Sequence, residues 1–123
     1  MKTIFVVDDS ATMLMSLEGV LTRAGMGVAK ATSGEDAVAQ LKAGLAVDLV
    51  ITDFNMPGMN GIDLIKEIRK MPAYRFKPVL MLTTESQVEK QKEAKAAGAT
   101  GWMVKPVDPD KLIAVIKQVV PGA

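Results

Sequence analysis

No cysteine and no histidine occur among the 123 residues. Disulfides and thiolate metal sites are thereby excluded, and so are Ser-His, Cys-His and imidazole-metal chemistry. Carboxylates, hydroxyls and amines are left to carry any reaction. Aromatics are scarce, with one Trp, one Tyr and three Phe. The net charge of +1 hides a gradient, since residues 1–65 carry 4 basic and 8 acidic groups and residues 66–123 carry 11 and 6. A nucleic-acid binder pairs a concentrated basic stripe with aromatic stacking surface, and with only five aromatics in the whole chain nucleic acid is not an expected partner. No apolar run approaches transmembrane length, and Met1-Lys2-Thr3-Ile4-Phe5-Val6-Val7 meets Asp8-Asp9 too early for a signal peptide. The expectation is a cytoplasmic monomer with no membrane insertion.

The composition of 49% hydrophobic and 24% charged residues is that of an ordinary globular protein, and the length suits one domain over residues 1–123. Apolar, β-branched runs alternate five times with segments of helical period, which predicts βα units feeding a parallel sheet. Strands are expected at Thr3–Val7, Val28–Thr32, Leu49–Thr52, Val79–Thr83 and Thr100–Val104. Helices are expected over 11–24, from an N-cap at Ser33 to Lys42, over 62–70, over 86–97, and from an Asp108 cap with Pro109 in the first position. The segment from Ser86 to Ala97 offers the core little beyond Val88 and alanines, so this fourth helix is expected to be weakly anchored. The nine methionines, among them Met13, Met15, Met81 and Met103, read as core filler.

Ligands of a parallel α/β sheet gather beyond the carboxyl ends of its strands. Strand one ends in Asp8-Asp9, strand three in Asp53, strand four in Thr83-Thr84 and strand five in Lys105-Pro106. Three converging carboxylates repel one another unless a cation or a proton intervenes. An all-oxygen donor set suits a hard cation, and few protein ligands favour Mg²⁺, which keeps waters and takes phosphate oxygens. Alone, Asp8 and Asp9 would be loop and cap acids, Lys105 a surface lysine and Thr83 a strand residue. Together they supply a carboxylate nucleophile, a positive charge and a hydroxyl donor, the parts of an aspartyl-phosphate mechanism with Asp53 on the central strand as acceptor.

The segments FVVDDS, ITDFNMPGMNG, MLTTES and WMVKP, in that order, resemble the motifs of response-regulator receiver domains of the chemotaxis CheY type, over essentially the whole chain. The resemblance implies a doubly wound, five-stranded parallel sheet of flavodoxin-like order 2-1-3-4-5 with five helices. It implies that Asp53 is phosphorylated from a histidine kinase in a two-component phosphorelay. Asp9, Asp53 and the Asn55 carbonyl would bind Mg²⁺ directly, and Asp8 would assist through water. Lys105 would contact phosphoryl oxygens, Thr83 would move toward them, and an aromatic on strand five would follow, altering the surface of helix four, strand five and helix five. Implied partners are the kinase as phosphodonor and a downstream protein such as a flagellar motor or a phosphatase. The chain would promote its own phosphorylation and dephosphorylation without being a turnover enzyme. A cis Lys105-Pro106 bond is implied by the resemblance alone.

Trp102 stands where tyrosine or phenylalanine is common in the family, and an indole needs more room and a partner for its N–H, so it is expected to stay outward. Val107 replaces a common phenylalanine, which predicts a small local packing change. Thr84 is bulky for its position and would narrow access to the phosphoryl group, whereas Asn55 and Glu85 match the pattern of short-lived phosphorylation. Pro57-Gly58 and Gly61 read as turn chemistry. Competing functions are a phosphate sink for a shared kinase, an aspartyl-phosphate phosphohydrolase and a flavin or nucleotide carrier. The hydrolase pattern places a DxD motif after strand one, which is absent here, and the carboxylates of VVDDSAT stand where a carrier would bind an anion.

Overall fold

The computed structural model describes residues 1–84 and 89–123. Five strands, β1 (Thr3–Val7), β2 (Gly27–Ala31), β3 (Leu49–Asp53), β4 (Val79–Thr83) and β5 (Gly101–Val104), alternate with five helices, α1 (Ala11–Arg23), α2 (Gly34–Lys42), α3 (Gly61–Lys70), α4 (Lys90–Ala97) and α5 (Pro109–Val119). All strand pairs are parallel, in the order β2-β1-β3-β4-β5. β3 and β4 are buried at every position, as continuous apolar runs require when helices cover both faces.

Side chains alternate across the sheet and divide the core in two. Phe5, Val50, Val79 and Met81 pack with Leu41, Ile65, Ile68 and Ala94 on the side of α2, α3 and α4. Ile4, Val6, Leu49, Ile51, Leu80 and Leu82 pack with Leu14, Leu17, Leu21, Leu112 and Ile116 on the side of α1 and α5.

The expected elements are present with small shifts. β2 runs one residue earlier than its apolar pattern suggested, because Gly27 pairs with Thr3 and the strand ends when Asp8 N–H donates to Ala31 O. β5 starts at Gly101 because Thr100 closes the preceding turn, its N–H donating to Val79 O and its hydroxyl accepting from Val79 N–H. The caps at Ser33 and Asp108 accept from Asp36 N–H and Asp110 N–H. Ser10 caps α1, and Asn60 with Asp63 forms a capping box on α3. α4 buries only Ala94, in keeping with weak anchoring, while Ser86, Val88 and Glu85 lie outside the described residues. Met81 is fully buried, but Met15 is 71% exposed and is not core filler, because it falls on the outer face of α1 between Leu14 and Leu17. No described helix is long and apolar enough to cross a membrane.

Candidate functional site

The site follows from strand register. Val7 lies opposite Thr52, so the next residues, Asp8 and Asp53, leave neighbouring strands side by side on the α1 and α5 side of the sheet. Ligand oxygens of Asp8, Asp9 and Asp53 lie within 4.8 Å of one another, with Asp8 and Asp53 buried and Asp9 exposed. Ser10 takes the capping role at α1, which removes the reading of Asp8 and Asp9 as cap acids. One oxygen of Asp8 accepts from Ser10 N–H at 2.9 Å.

Lys105 enters from the loop after β5. Its backbone N–H donates to Thr83 O at 2.7 Å, and the Lys105-Pro106 bond is cis. Its Nζ reaches Asp53 Oδ1 at 3.0 Å and Asp8 Oδ2 at 3.5 Å. One ammonium faces three carboxylates, and the pocket remains electron-rich. Burial pushes the Asp8 carboxyl above its ordinary value, against the lowering by the Ser10 N–H and Lys105, while Asp53 and Asp9 add repulsion in the same direction as burial. Asp8 Oδ2 is buried without a hydrogen-bond partner among the described residues. A buried acceptor met only by an ion pair at 3.5 Å among the described residues, inside a cluster of like charge, fits a hard divalent cation.

The structure brings together Asp8, Asp9, Asp53 and Lys105. Thr83 is fully buried but falls in step with Val79 and Met81 on the other side of the sheet, and its hydroxyl has no hydrogen-bond partner among the described residues. Asn55 is exposed in the β3–α3 loop. Trp102 is 38% exposed and lies outward beside Lys95 and Lys92 of α4. Val107 packs only partly and borders a cleft of ≈ 170 Å³ with Met13, Leu17 and Leu112.

Gly61 is not turn chemistry. A Cβ there would stand 2.5 Å from Asp53 O, so its smallness lets α3 start directly against the acceptor's backbone. Three further residues had no local signal. Glu35 on α2 accepts from Met59 N–H at 3.2 Å in the loop after Asp53. Arg69 donates to the carbonyls of Gly98, Arg75 and Lys77, at 2.6 Å for the shortest, and so joins α3, the 71–78 loop and the end of α4. The Tyr74 hydroxyl donates to Leu45 O at 2.6 Å, tying the same loop to the end of α2.

A 2-1-3-4-5 sheet with an acid cluster and a lysine at its carboxyl edge defines a receiver-type domain. The chain belongs to the response regulator receiver domain family, whose model matches residues 4–117, and it is of the CheY type. It is 39% identical over 119 residues to the chemotaxis protein CheY of Thermotoga maritima, covering 96% of this chain and 97% of that one. It is 43% identical over 104 residues to chemotaxis protein CheY-3 of Vibrio cholerae, covering 84% of this chain and 79% of the relative. The solved structure of Vibrio cholerae CheY4 superposes with a TM-score of 0.91 at 40% identity, covering 98% of this chain and 99% of that one. Receiver domains bind Mg²⁺ at an acidic pocket, and Asp8, Asp9 and Asp53 make up such a pocket here.

Proposed function

We propose that the chain is a phosphorylation switch of a chemotaxis two-component system in which Asp53 accepts a phosphoryl group from the phosphohistidine of a kinase. The observation that carries this is Lys105 Nζ at 3.0 Å from Asp53 Oδ1 inside a cluster of three carboxylates. A carboxylate oxygen of Asp53 attacks phosphorus, the O–P bond forms as the N–P bond breaks, and the electron pair returns to the imidazole nitrogen. Lys105 holds the nucleophile in place and meets the charge of the incoming phosphoryl oxygens. Asp9, Asp53 and the Asn55 carbonyl would hold Mg²⁺, with Asp8 assisting. Mg²⁺ held there would supply positive charge against the acid cluster and the phosphoryl oxygens.

Phosphorylation draws the Thr83 hydroxyl, which has no hydrogen-bond partner among the described residues, toward the new oxygens and shifts the α4, β5 and α5 surface, where a downstream protein binds. The domain speeds its own phosphorylation and dephosphorylation and has no substrate that it turns over. The exposed Trp102 is part of the surface read by the partner rather than a buried relay. Incubation with acetyl phosphate and Mg²⁺ followed by intact-mass measurement tests the core of this reading. One phosphoryl adduct is expected, lost with chelator and in Asp53→Asn. An adduct that persists in Asp53→Asn, or none on the wild type, would overturn it.

A further inference from the structure

Between Asp53 and α3 the chain has no regular structure, yet it carries Asn55. Its base is closed by Gly61 N–H donating to Phe54 O at 3.0 Å. Farther out, one hydrogen bond ties the backbone of residues 55–59 to another element among the described residues, from Met59 N–H to Glu35 Oε2 at 3.2 Å. The fit is close on both sides of that bond. Gly58 turns the chain with φ +74°, and a Cβ there would lie 2.6 Å from Glu35 Oε2. A Cβ on Gly34 would lie 2.8 Å from Met59 Cγ, so the bare N-terminus of α2 forms the seat on which the loop rests.

We infer that Glu35 is a positioning residue for the metal pocket, a clamp that holds the β3–α3 loop so that the Asn55 carbonyl is ready to serve as a ligand. The inference rests on the proposed Mg²⁺ pocket. A loop already ordered loses less backbone freedom when its carbonyl is taken up as a ligand, and a loop released from Glu35 loses more. The role needs an acceptor oxygen and not a charge, because the partner is a backbone N–H.

Magnesium titrations of the whole protein followed by calorimetry, with amide hydrogen exchange on the metal-free protein, test this. Glu35→Ala is expected to raise the Mg²⁺ dissociation constant about three- to tenfold and to speed exchange at Met59. Glu35→Gln, which keeps an acceptor and removes the charge, is expected to stay within about twofold of wild type. Wild-type affinity in Glu35→Ala would overturn the inference and leave the pocket intact. Equal losses in Glu35→Ala and Glu35→Gln would replace positioning by a distant charge effect, and so overturn it as well. A wild-type protein indifferent to Mg²⁺ would overturn the pocket reading and this inference together.

Discussion

Lys105 Nζ stands 3.0 Å from Asp53 Oδ1 and 3.5 Å from Asp8 Oδ2, so a single ammonium bridges two buried carboxylates that leave adjacent strands. Removing it leaves two like charges facing each other without a counter-charge. Lys105→Ala is expected to lower stability at neutral pH by about 2–3 kcal/mol, below the loss for a fully buried pair because the lysine side chain is 20% exposed. Urea unfolding checks this, and millimolar Mg²⁺ should restore part of the loss. Labelling by acetyl phosphate should fall at least tenfold in the same variant.

Asp8→Asn is expected to stabilise the metal-free protein at pH 7. The folded state raises the Asp8 carboxyl above 3.8, chiefly by burial, and therefore holds the proton more tightly than the unfolded chain does. The protonated carboxyl's contribution is complete below the unfolded value and declines as pH rises through the raised folded value. The advantage of Asp8→Asn should therefore be present at pH 7 and vanish below about pH 4. Thermal unfolding across that range, without divalent cations, measures it. Saturating Mg²⁺ should reverse the order of the two proteins.

Gly61→Ala is expected to lose about 1–3 kcal/mol and to slow acetyl-phosphate labelling of Asp53, since the new Cβ must displace the Asp53 carbonyl from 2.5 Å. The check pairs urea unfolding with the initial labelling rate. Normal labelling in a stably folded Gly61→Ala would show that the Asp53 backbone tolerates the shift.

Arg69→Ala is expected to lose about 2–4 kcal/mol, because the carbonyls of Gly98, Arg75 and Lys77 all give up a charged donor. Arg69→Lys should recover less than half, because one ammonium cannot span the carbonyls that the planar guanidinium reaches. Hydrogen exchange should quicken at the end of α4, around Gly98, more than in β1 or β3.

The acid cluster and its lysine were legible from residue order, since Asp8, Asp9, Asp53 and Lys105 each follow an apolar run that could only be a strand. The strand order itself came through resemblance, as periodicity does not say which strands are neighbours. Met15 is apolar yet 71% exposed on the outer face of α1, and Gly61 reads along the chain as a turn residue although its lack of a side chain is what lets α3 begin against the Asp53 carbonyl.

Alternating apolar runs and caps, read along the chain, determined the elements and the chemistry stationed at their ends, because backbone hydrogen bonding and side-chain periodicity act over a few residues. Tertiary structure decided which of those ends meet. Register sets Asp8 beside Asp53 and turns Thr83 to the other side of the sheet. Glu35 reaches Met59 across 24 residues, and Arg69 reaches Gly98 across 29. Contacts at such separation depend on how the helices pack against the sheet, and a pattern of a few residues carries no trace of them.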